Sequence, residues 1–560
     1  MRTVTHGAGI FVAQYQVGRL QTIFAQQPMV HRQPDHTRWR IHKKPHVSLL
    51  WPHCALQLDD NKSHFRRQQG ATFPPVLSEF LISHIAGLGT SVGLPLHRQL
   101  YEALRRAMLD GMLRAGERLP SSRELANDLG CSRNTVVAAL EQLAVEGYVG
   151  SRVGSGTFVK TGVPKPARRH MAHHSNQARA LSRRGRELAT RFAAAGLEIQ
   201  PFTPGPGDFS AFPVALWQRL QNKHWRMTYP EMLDYSTGGG HTPLRRAVAD
   251  YLRLFRSVEL DVDQVLITSG TQQSLELCAQ MLADHNDTVW LEDPAYWGAA
   301  KAFLAAGLRH HPVPVDQEGM APTAADANAP PRLIYLTPSH QYPTGAVMSL
   351  RRRRQLLEIA RSQQAWILED DYDSEFRFDG PPLSSLAGMD QDERVLYMGS
   401  FSKVLYPGLK LGYLVVPRAL VEPFRQAHYD LNRPGQMPLQ AALAEFIEMG
   451  HFAVALRRAR SSYAQRRACL LAALAPCITR GAWISGAEQG LHLCLRLPVK
   501  VDDVALAKNI AQYGLTVRAL SAYCLQRTDL RGLVIGYGYA LLASIQDSGP
   551  ILAKIITTAL

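Results

Sequence analysis

The chain has 560 residues, 46% of them hydrophobic and 19% charged. That is too long for a single core and too apolar for a disordered polymer, so two or three globular domains are expected. The net charge of +15 is unevenly placed: residues 1–196 hold 27 Lys and Arg against 12 Asp and Glu, whereas the rest balances at 35 of each. No apolar run is long enough to span a bilayer, and the start lacks the order of a signal peptide, which excludes an integral membrane protein and points to a cytoplasmic address.

Seven cysteines (Cys54, Cys131, Cys278, Cys469, Cys477, Cys494, Cys524) show neither CxxC nor metal-ligand spacing, so reduced thiols and no metal centre are expected. Residues 1–75 are basic, rich in His and Gln, and poorly periodic, with Trp39, Trp51 and Phe65 isolated among polar stretches. They are assigned no function and are expected to be disordered.

Order begins near Leu94-Pro95-Leu96. Leu96, Leu100, Leu104, Met108 and Met112 recur at helical spacing, predicting an amphipathic helix that ends by Gly116. Ser121 and Glu124 then stand at the S-x-x-E spacing that satisfies orphan helix amides reciprocally, opening a second helix. Ser132 can cap a third, Arg133 to Glu146, with Val136, Leu140 and Leu143 inward and Arg133, Asn134 and Thr135 on its exposed first turn. Tyr148-Val149 and Thr157-Phe158-Val159, joined across Gly154-Ser155-Gly156, predict a short hairpin carrying Arg152. Two helices joined by a turn, with the second offering its N-terminal residues outward, are the geometry of a helix-turn-helix and its wing.

Residues 161–197 read as a basic linker in which like charges meet only Glu187; its His170, His173 and His174 lack cysteine or carboxylate partners for a metal. From 198 to 560 the pattern becomes strand, turn and helix in alternation. Val265–Thr268, Thr288–Leu291, Leu333–Leu336, Trp366–Leu368, Val395–Met398 and Tyr413–Val416 are short apolar runs, with helical stretches at 272–283 and 351–362. This predicts an α/β domain built on a mostly parallel sheet covered by helices. In such sheets ligands sit beyond the carboxyl ends of strands, and Asp370, Lys403 and Gly270-Thr271-Gln272 fall there.

Each of those residues suits an aldehyde cofactor with a pyridine ring and a phosphate. Lys403 offers the amine for a Schiff base. Asp370 would keep the ring nitrogen protonated, Tyr372 could donate to the ring hydroxyl, and Tyr296 could stack on the ring. Gly270 and Thr271 at a helix N-terminus offer amides and a hydroxyl to phosphate, and Lys410 with Ser400 would neutralise the remaining charge.

The run from Leu94 to Val159 resembles the DNA-binding domain of GntR-family transcription factors. That likeness implies Arg123 and Arg133 for backbone and guanine contacts, Asn134 and Thr135 at the recognition tip, and Arg152 with Ser155 at the minor groove. The segments ITSGTQQSLEL, VWLEDPAYWG, LTPSHQYPTGAVM, ILEDDYDSEF and YMGSFSKVLYPGLKLGY resemble fold-type I aminotransferases. The union with a GntR head, here a winged helix-turn-helix over 90–160, resembles the MocR/GabR-type regulators. This resemblance implies pyridoxal 5′-phosphate on Lys403, double-stranded operator DNA, a small-molecule effector, and a head-to-tail homodimer in which Tyr235 reaches the phosphate of the second subunit's site.

Three departures bear on turnover. Tyr342-Pro343-Thr344-Gly345 lacks the Asn usual in aminotransferases, Lys410 stands where Arg is usual and loses the bidentate fork, and Leu533–Tyr539 reads LVIGYGY without the carboxylate-clamping Arg. Gly298 offers no side chain where some amino-acid-sensing relatives carry Arg. The expectation is a regulator that senses the cofactor or a cofactor–amine adduct; the alternative is an aminotransferase with an accessory DNA-binding domain.

Overall fold

The computed structural model describes residues 77, 80–84, 94–152, 154–161, 181–190, 199–210, 212–236, 238–378 and 384–560. The extension 1–75, the His170–His174 tract and most of the linker lie outside them. The chain divides into two compact units, Met1–Ala172 and His173–Leu560, described separately below.

In the first unit the helices α1 (Leu96–Leu109), α2 (Ser122–Asp128) and α3 (Arg133–Val145) precede a hairpin of β1 (Val149–Arg152) and β2 (Gly156–Val159). Leu100, Leu104 and Met108 are buried as the periodicity predicts, together with Tyr101, Ala103 and Ala107, while Leu96 and Met112 are exposed. The helix stops seven residues before Gly116 because Gly111 enters the left-handed region at φ 79°. The Ser121 box forms as expected: its hydroxyl accepts from the Glu124 amide at 3.3 Å, and the Glu124 carboxylate accepts from the Ser121 amide at 2.8 Å. Ser132 caps α3 by accepting from the Thr135 amide. Val136 and Leu143 are fully buried, and Leu140 packs at the core's edge. In the hairpin Val149 pairs with Val159 and Arg152 with Gly156. Gly156 sits at φ 104°, a conformation that glycine adopts without strain and other residues rarely do. The core also draws in Leu77 and Leu81, ahead of the segment marked by periodicity.

The second unit begins, among described residues, with a helix inside the linker, α4 (Arg183–Thr190), where Arg183 and Glu187 pair at 3.2 Å. Its eight-stranded sheet comprises β3 (Val265–Thr268), β4 (Thr288–Asp293), β5 (Arg309–Asp316), β6 (Gly319–Met320), β7 (Leu333–Leu336), β8 (Trp366–Asp371), β9 (Val395–Ser400) and β10 (Gly412–Val415), in the order β3-β10-β9-β8-β7-β4-β5-β6. The five strands from β9 to β5 run parallel, and β10 is antiparallel to both its neighbours. Pro312 and Pro314 conceal β5 from a sequence reading, since proline cannot donate to a ladder and argues against a strand.

Both faces of this sheet are covered, which is why its strands read as continuous apolar runs instead of alternating ones. Leu291, Tyr335, Leu368 and Leu396 pack with residues of α5 (Thr271–Leu282) and α6 (Trp297–Ala306), whereas Trp290, Ile334, Ile367 and Val395 pack with Leu356 and Ala360 of α7 (Leu350–Ser362). A smaller antiparallel sheet holds β11 (Trp483–Ser485), β12 (His492–Arg496), β13 (Arg518–Ala519) and β14 (Gly532–Gly536), in the order β11-β12-β14-β13. Among the described residues no single helix is long and apolar enough to cross a membrane, and six cysteines are free thiols.

Candidate functional site

The parallel strands end on one cavity of about 370 Å³, within the size range of small-molecule sites. Strand alternation sorts the acidic run at the end of β8. Glu369 accepts from the amides of Leu386 at 2.9 Å and Ala387 at 2.8 Å, and Asp371 pairs with Arg256 at 2.8 Å and with the Tyr397 hydroxyl. Asp370, between them, lines the cavity. The three are at most 4% exposed; an isolated acidic triplet would ordinarily be a solvated turn, and only two fully covered sheet faces make it otherwise.

Asp370 Oδ2 accepts from the Tyr335 hydroxyl at 2.8 Å, while its Oδ1 is buried without a partner. Burial pushes its carboxyl up to about 7, opposed by the Tyr335 hydrogen bond and the Lys403 charge. Across the cavity Lys403, just beyond β9, donates to the Gly205 carbonyl at 2.8 Å. Burial lowers its ammonium, against the pull of Asp373 and Asp370, which favours the neutral, nucleophilic amine.

A helix N-terminus also opens onto the cavity. Gly270 caps α5 at φ 114° and ψ 176°, a conformation that only glycine adopts freely, and leaves the first-turn amides of the helix open. Ser269, Thr271, Ser400, Ser402 and Lys410 line the same cavity. Gly412 lets β10 come this close, since a Cβ there would stand 2.8 Å from the Gly270 Cα.

The cavity thus unites Gly270, Thr271, Gln272, Tyr296, Asp370, Tyr372, Ser400, Lys403 and Lys410, of the residues singled out from sequence. Gln272 donates to the Gly298 carbonyl at 3.4 Å and to Glu276 at 3.3 Å, so it shapes the rim. The Tyr372 hydroxyl donates to the His340 carbonyl at 2.9 Å and lies 3.1 Å from His340 Nδ1, while Tyr372 also lines the cavity. Tyr235 is not in the cavity; it is 54% exposed.

Sequence reasoning missed His340, Asp373, His492 and Arg518. His340 Nδ1 and Asp373 Oδ2 are 2.9 Å apart, both groups fully buried. With His492 they bring one ligand atom each within 4.8 Å of the others, but His492 Nε2 already faces the Pro343 carbonyl at 3.3 Å. The set therefore reads as a support beneath Tyr372 more readily than as a metal centre. LTPSHQYPTG, which holds His340, and ILEDDYDSEF, which holds Asp373, pointed to this corner through the strand ends they follow. Gln341, adjacent to the missing Asn, gives no substitute: its amide is held by the carbonyls of Pro294 and Tyr342.

On the first unit Arg123, Arg133, Asn134, Arg152 and Ser155 are exposed and Thr135 is half-buried at the start of α3. Arg133 Nε donates to Ser122 at 3.3 Å, and Arg152 lies 5.2 Å from the centre of the Phe158 ring. These are two light restraints that orient long side chains without burying them.

Residues 96–159 match the model of bacterial regulatory proteins of the gntR family, and residues 207–532 match that of class I and II aminotransferases. Over 452 residues the chain is 38% identical to the Probable rhizopine catabolism regulatory protein MocR of Rhizobium meliloti, covering 80% of this chain and 91% of that protein. The chain belongs to the MocR-type regulators of the GntR family. This regulator is also 31% identical to the HTH-type pyridoxine biosynthesis transcriptional regulator PdxR of Corynebacterium glutamicum, over 79% of this chain and 91% of that one. Its fold is shared with Pyrococcus horikoshii kynurenine aminotransferase, at TM-score 0.62 and 24% identity over 69% of this chain and 99% of that one. The α-aminoadipate aminotransferase LysN of Thermus thermophilus, solved with N-(5′-phosphopyridoxyl)-L-leucine, matches at TM-score 0.59 and 27% identity over 67% of this chain and 97% of that one. The regulator is accordingly a DNA-binding transcription factor whose larger unit has the fold-type I aminotransferase architecture.

Proposed function

We propose that the larger unit binds pyridoxal 5′-phosphate at Lys403 and that the regulator couples the state of that site to operator binding. The observation that carries this reading is the unpartnered buried Oδ1 of Asp370: a carboxylate oxygen out of water needs a donor, and a protonated pyridine nitrogen is one. The cofactor's aldehyde would supply reversible covalent capture of primary amines. Lys403, half-buried and held by the Gly205 carbonyl, is the amine that would anchor it; Asp370 would take the ring nitrogen, and Tyr296 would pack beside the ring. The first-turn amides of the helix that begins at Gly270, with the Thr271 hydroxyl, Ser400 and Lys410, would take the phosphate.

In the head, Arg123, Arg133, Asn134 and Thr135 would meet operator phosphates and base edges in the major groove, with Arg152 and Ser155 on the wing. The effector is the cofactor or an adduct of it with an amine, and PdxR is a relative named for pyridoxine biosynthesis. The working form is a cytoplasmic homodimer in which the exposed Tyr235 reaches the second subunit's phosphate. Effector binding would shift the equilibrium between arrangements of the two heads, a coupling free energy in the linkage sense.

Purified full-length protein incubated with pyridoxal 5′-phosphate should be yellow, with a visible band absent from Lys403→Ala. A colourless wild-type protein that takes up no cofactor would overturn the reading. Footprinting upstream of the neighbouring genes should reveal a protected site whose occupancy changes with cofactor loading.

A further inference from the structure

The charged residues lining the cavity, among those described, are Lys403, Lys410, Arg518, Asp370 and Asp373. In the reading above Lys403 and Asp370 engage the aldehyde and ring nitrogen, Lys410 the phosphate, and Asp373 is paired with His340. His492, in the same wall, is kept neutral by burial beside His340. Arg518 alone has no assigned counter-charge. Its Nε is buried without a hydrogen-bond partner, it bears on the Tyr523 hydroxyl, and its guanidinium carbon lies 5.3 Å from the centre of the Trp297 ring. This contact and the hydrogen bond to the Tyr523 hydroxyl restrain the guanidinium, whose five N–H donors exceed what that one hydroxyl uses.

Its place in the sheet adds a second argument. Arg518 on β13 stands directly opposite Val534 on β14, within the Leu533–Tyr539 segment that lacks a carboxylate-clamping arginine. Opposed residues of antiparallel strands project on one face with Cβ atoms about 4.5–5.5 Å apart. A guanidinium therefore emerges one strand away from the segment that lacks the arginine. Gly298 contributes no side chain, and a Cβ there would have to displace the Tyr296 ring, which it would meet at 2.5 Å.

The geometry points to Arg518 as the anion anchor of the effector site: the cavity takes a primary amine that also bears a carboxylate or another oxyanion, with the amine toward Lys403 and the anion in the Arg518 fork. The inference rests on the cofactor reading above and narrows it to a class of amine. Tyr342 and Tyr523, whose hydroxyls are 3.0 Å apart, flank the fork and supply further polar contacts.

Full-length protein loaded with pyridoxal 5′-phosphate, titrated through its visible absorbance, tests the assignment. The probes are glycine, β-alanine and 4-aminobutyrate, each against its amino alcohol, with 3-aminopropanesulfonate separating carboxylate from sulfonate. At least one anionic amine should bind about tenfold or more tightly than its uncharged match, and Arg518→Gln should abolish that preference while leaving the alcohol's affinity and the chromophore unchanged. Arg518→Lys, which retains the charge but loses the fork, should keep part of the preference, and it carries the test if the Gln variant folds poorly. A wild-type protein that binds no anionic amine better than its alcohol, or an Arg518→Gln protein weakened equally toward both, overturns the assignment. Absence of the chromophore from the wild type is a separate result and sinks the cofactor reading itself.

Discussion

On the head, Arg123, Arg133, Asn134, Arg152 and Ser155 stand in solvent, supported by two caps and a small core. In the larger unit Glu369, Asp370 and Asp371 are at most 4% exposed, and the Lys403 ammonium is lowered by burial. Under the proposed function the contrast follows from what each region would meet. Phosphates and base edges come to the protein from outside, so a reading residue keeps its charge in water until the complex forms. A cofactor amine has to be desolvated beforehand to be nucleophilic, and the acid that faces it shares the dry environment. Charge is therefore inexpensive in the head and structurally demanding in the larger unit, and substitutions should act on binding in one and on folding in the other.

The most severe test of that contrast is Arg256→Met, which strands Asp371 in the interior. Removing one partner of a buried pair costs about 3–5 kcal/mol, so chemical denaturation should show a large loss in the aminotransferase-like unit. A loss below about 1 kcal/mol would erase the contrast. Asp370→Asn sharpens it through pH. Burial raises the folded-state carboxyl from 3.8 to about 7, so in that window the cofactor-free folded chain holds a proton that the unfolded chain has released. The Asp370 contribution to stability is greatest below 3.8 and is lost as pH rises through 7. In cofactor-free protein the Asn variant should accordingly be more stable than wild type at pH 8, by on the order of a few kcal/mol, with the advantage shrinking toward pH 4. A variant less stable at pH 8 would contradict the desolvation account.

Smaller effects belong to the head. Arg133→Ala should weaken operator binding by about 1–3 kcal/mol if it reads a base, with no change in thermal stability because its side chain is exposed. Unchanged sequence preference in a binding-site selection would place the recognition surface elsewhere. Ser121→Ala, which removes one half of the capping box, should lower the stability of the head by about 1 kcal/mol and leave the visible absorbance of the cofactor untouched.

What the sequence by itself determined is whatever depends on neighbours within a few turns or one strand. The Ser121–Glu124 box, the inward Leu100, Leu104 and Val136, the limits of β3 and β7, and Lys403 and Gly270 at strand ends are all of this kind, because helical and strand periods and capping chemistry are local. Tertiary structure alone decided that the 369–371 acids are buried, that Arg256 neutralises Asp371 from 115 residues away, that the Tyr372 hydroxyl turns to His340, and that Arg518 enters the cavity opposite Val534. Those facts follow from which strands lie side by side and which faces are covered. A packed sheet brings together groups hundreds of residues apart, and no local pattern in the chain records which ones will meet.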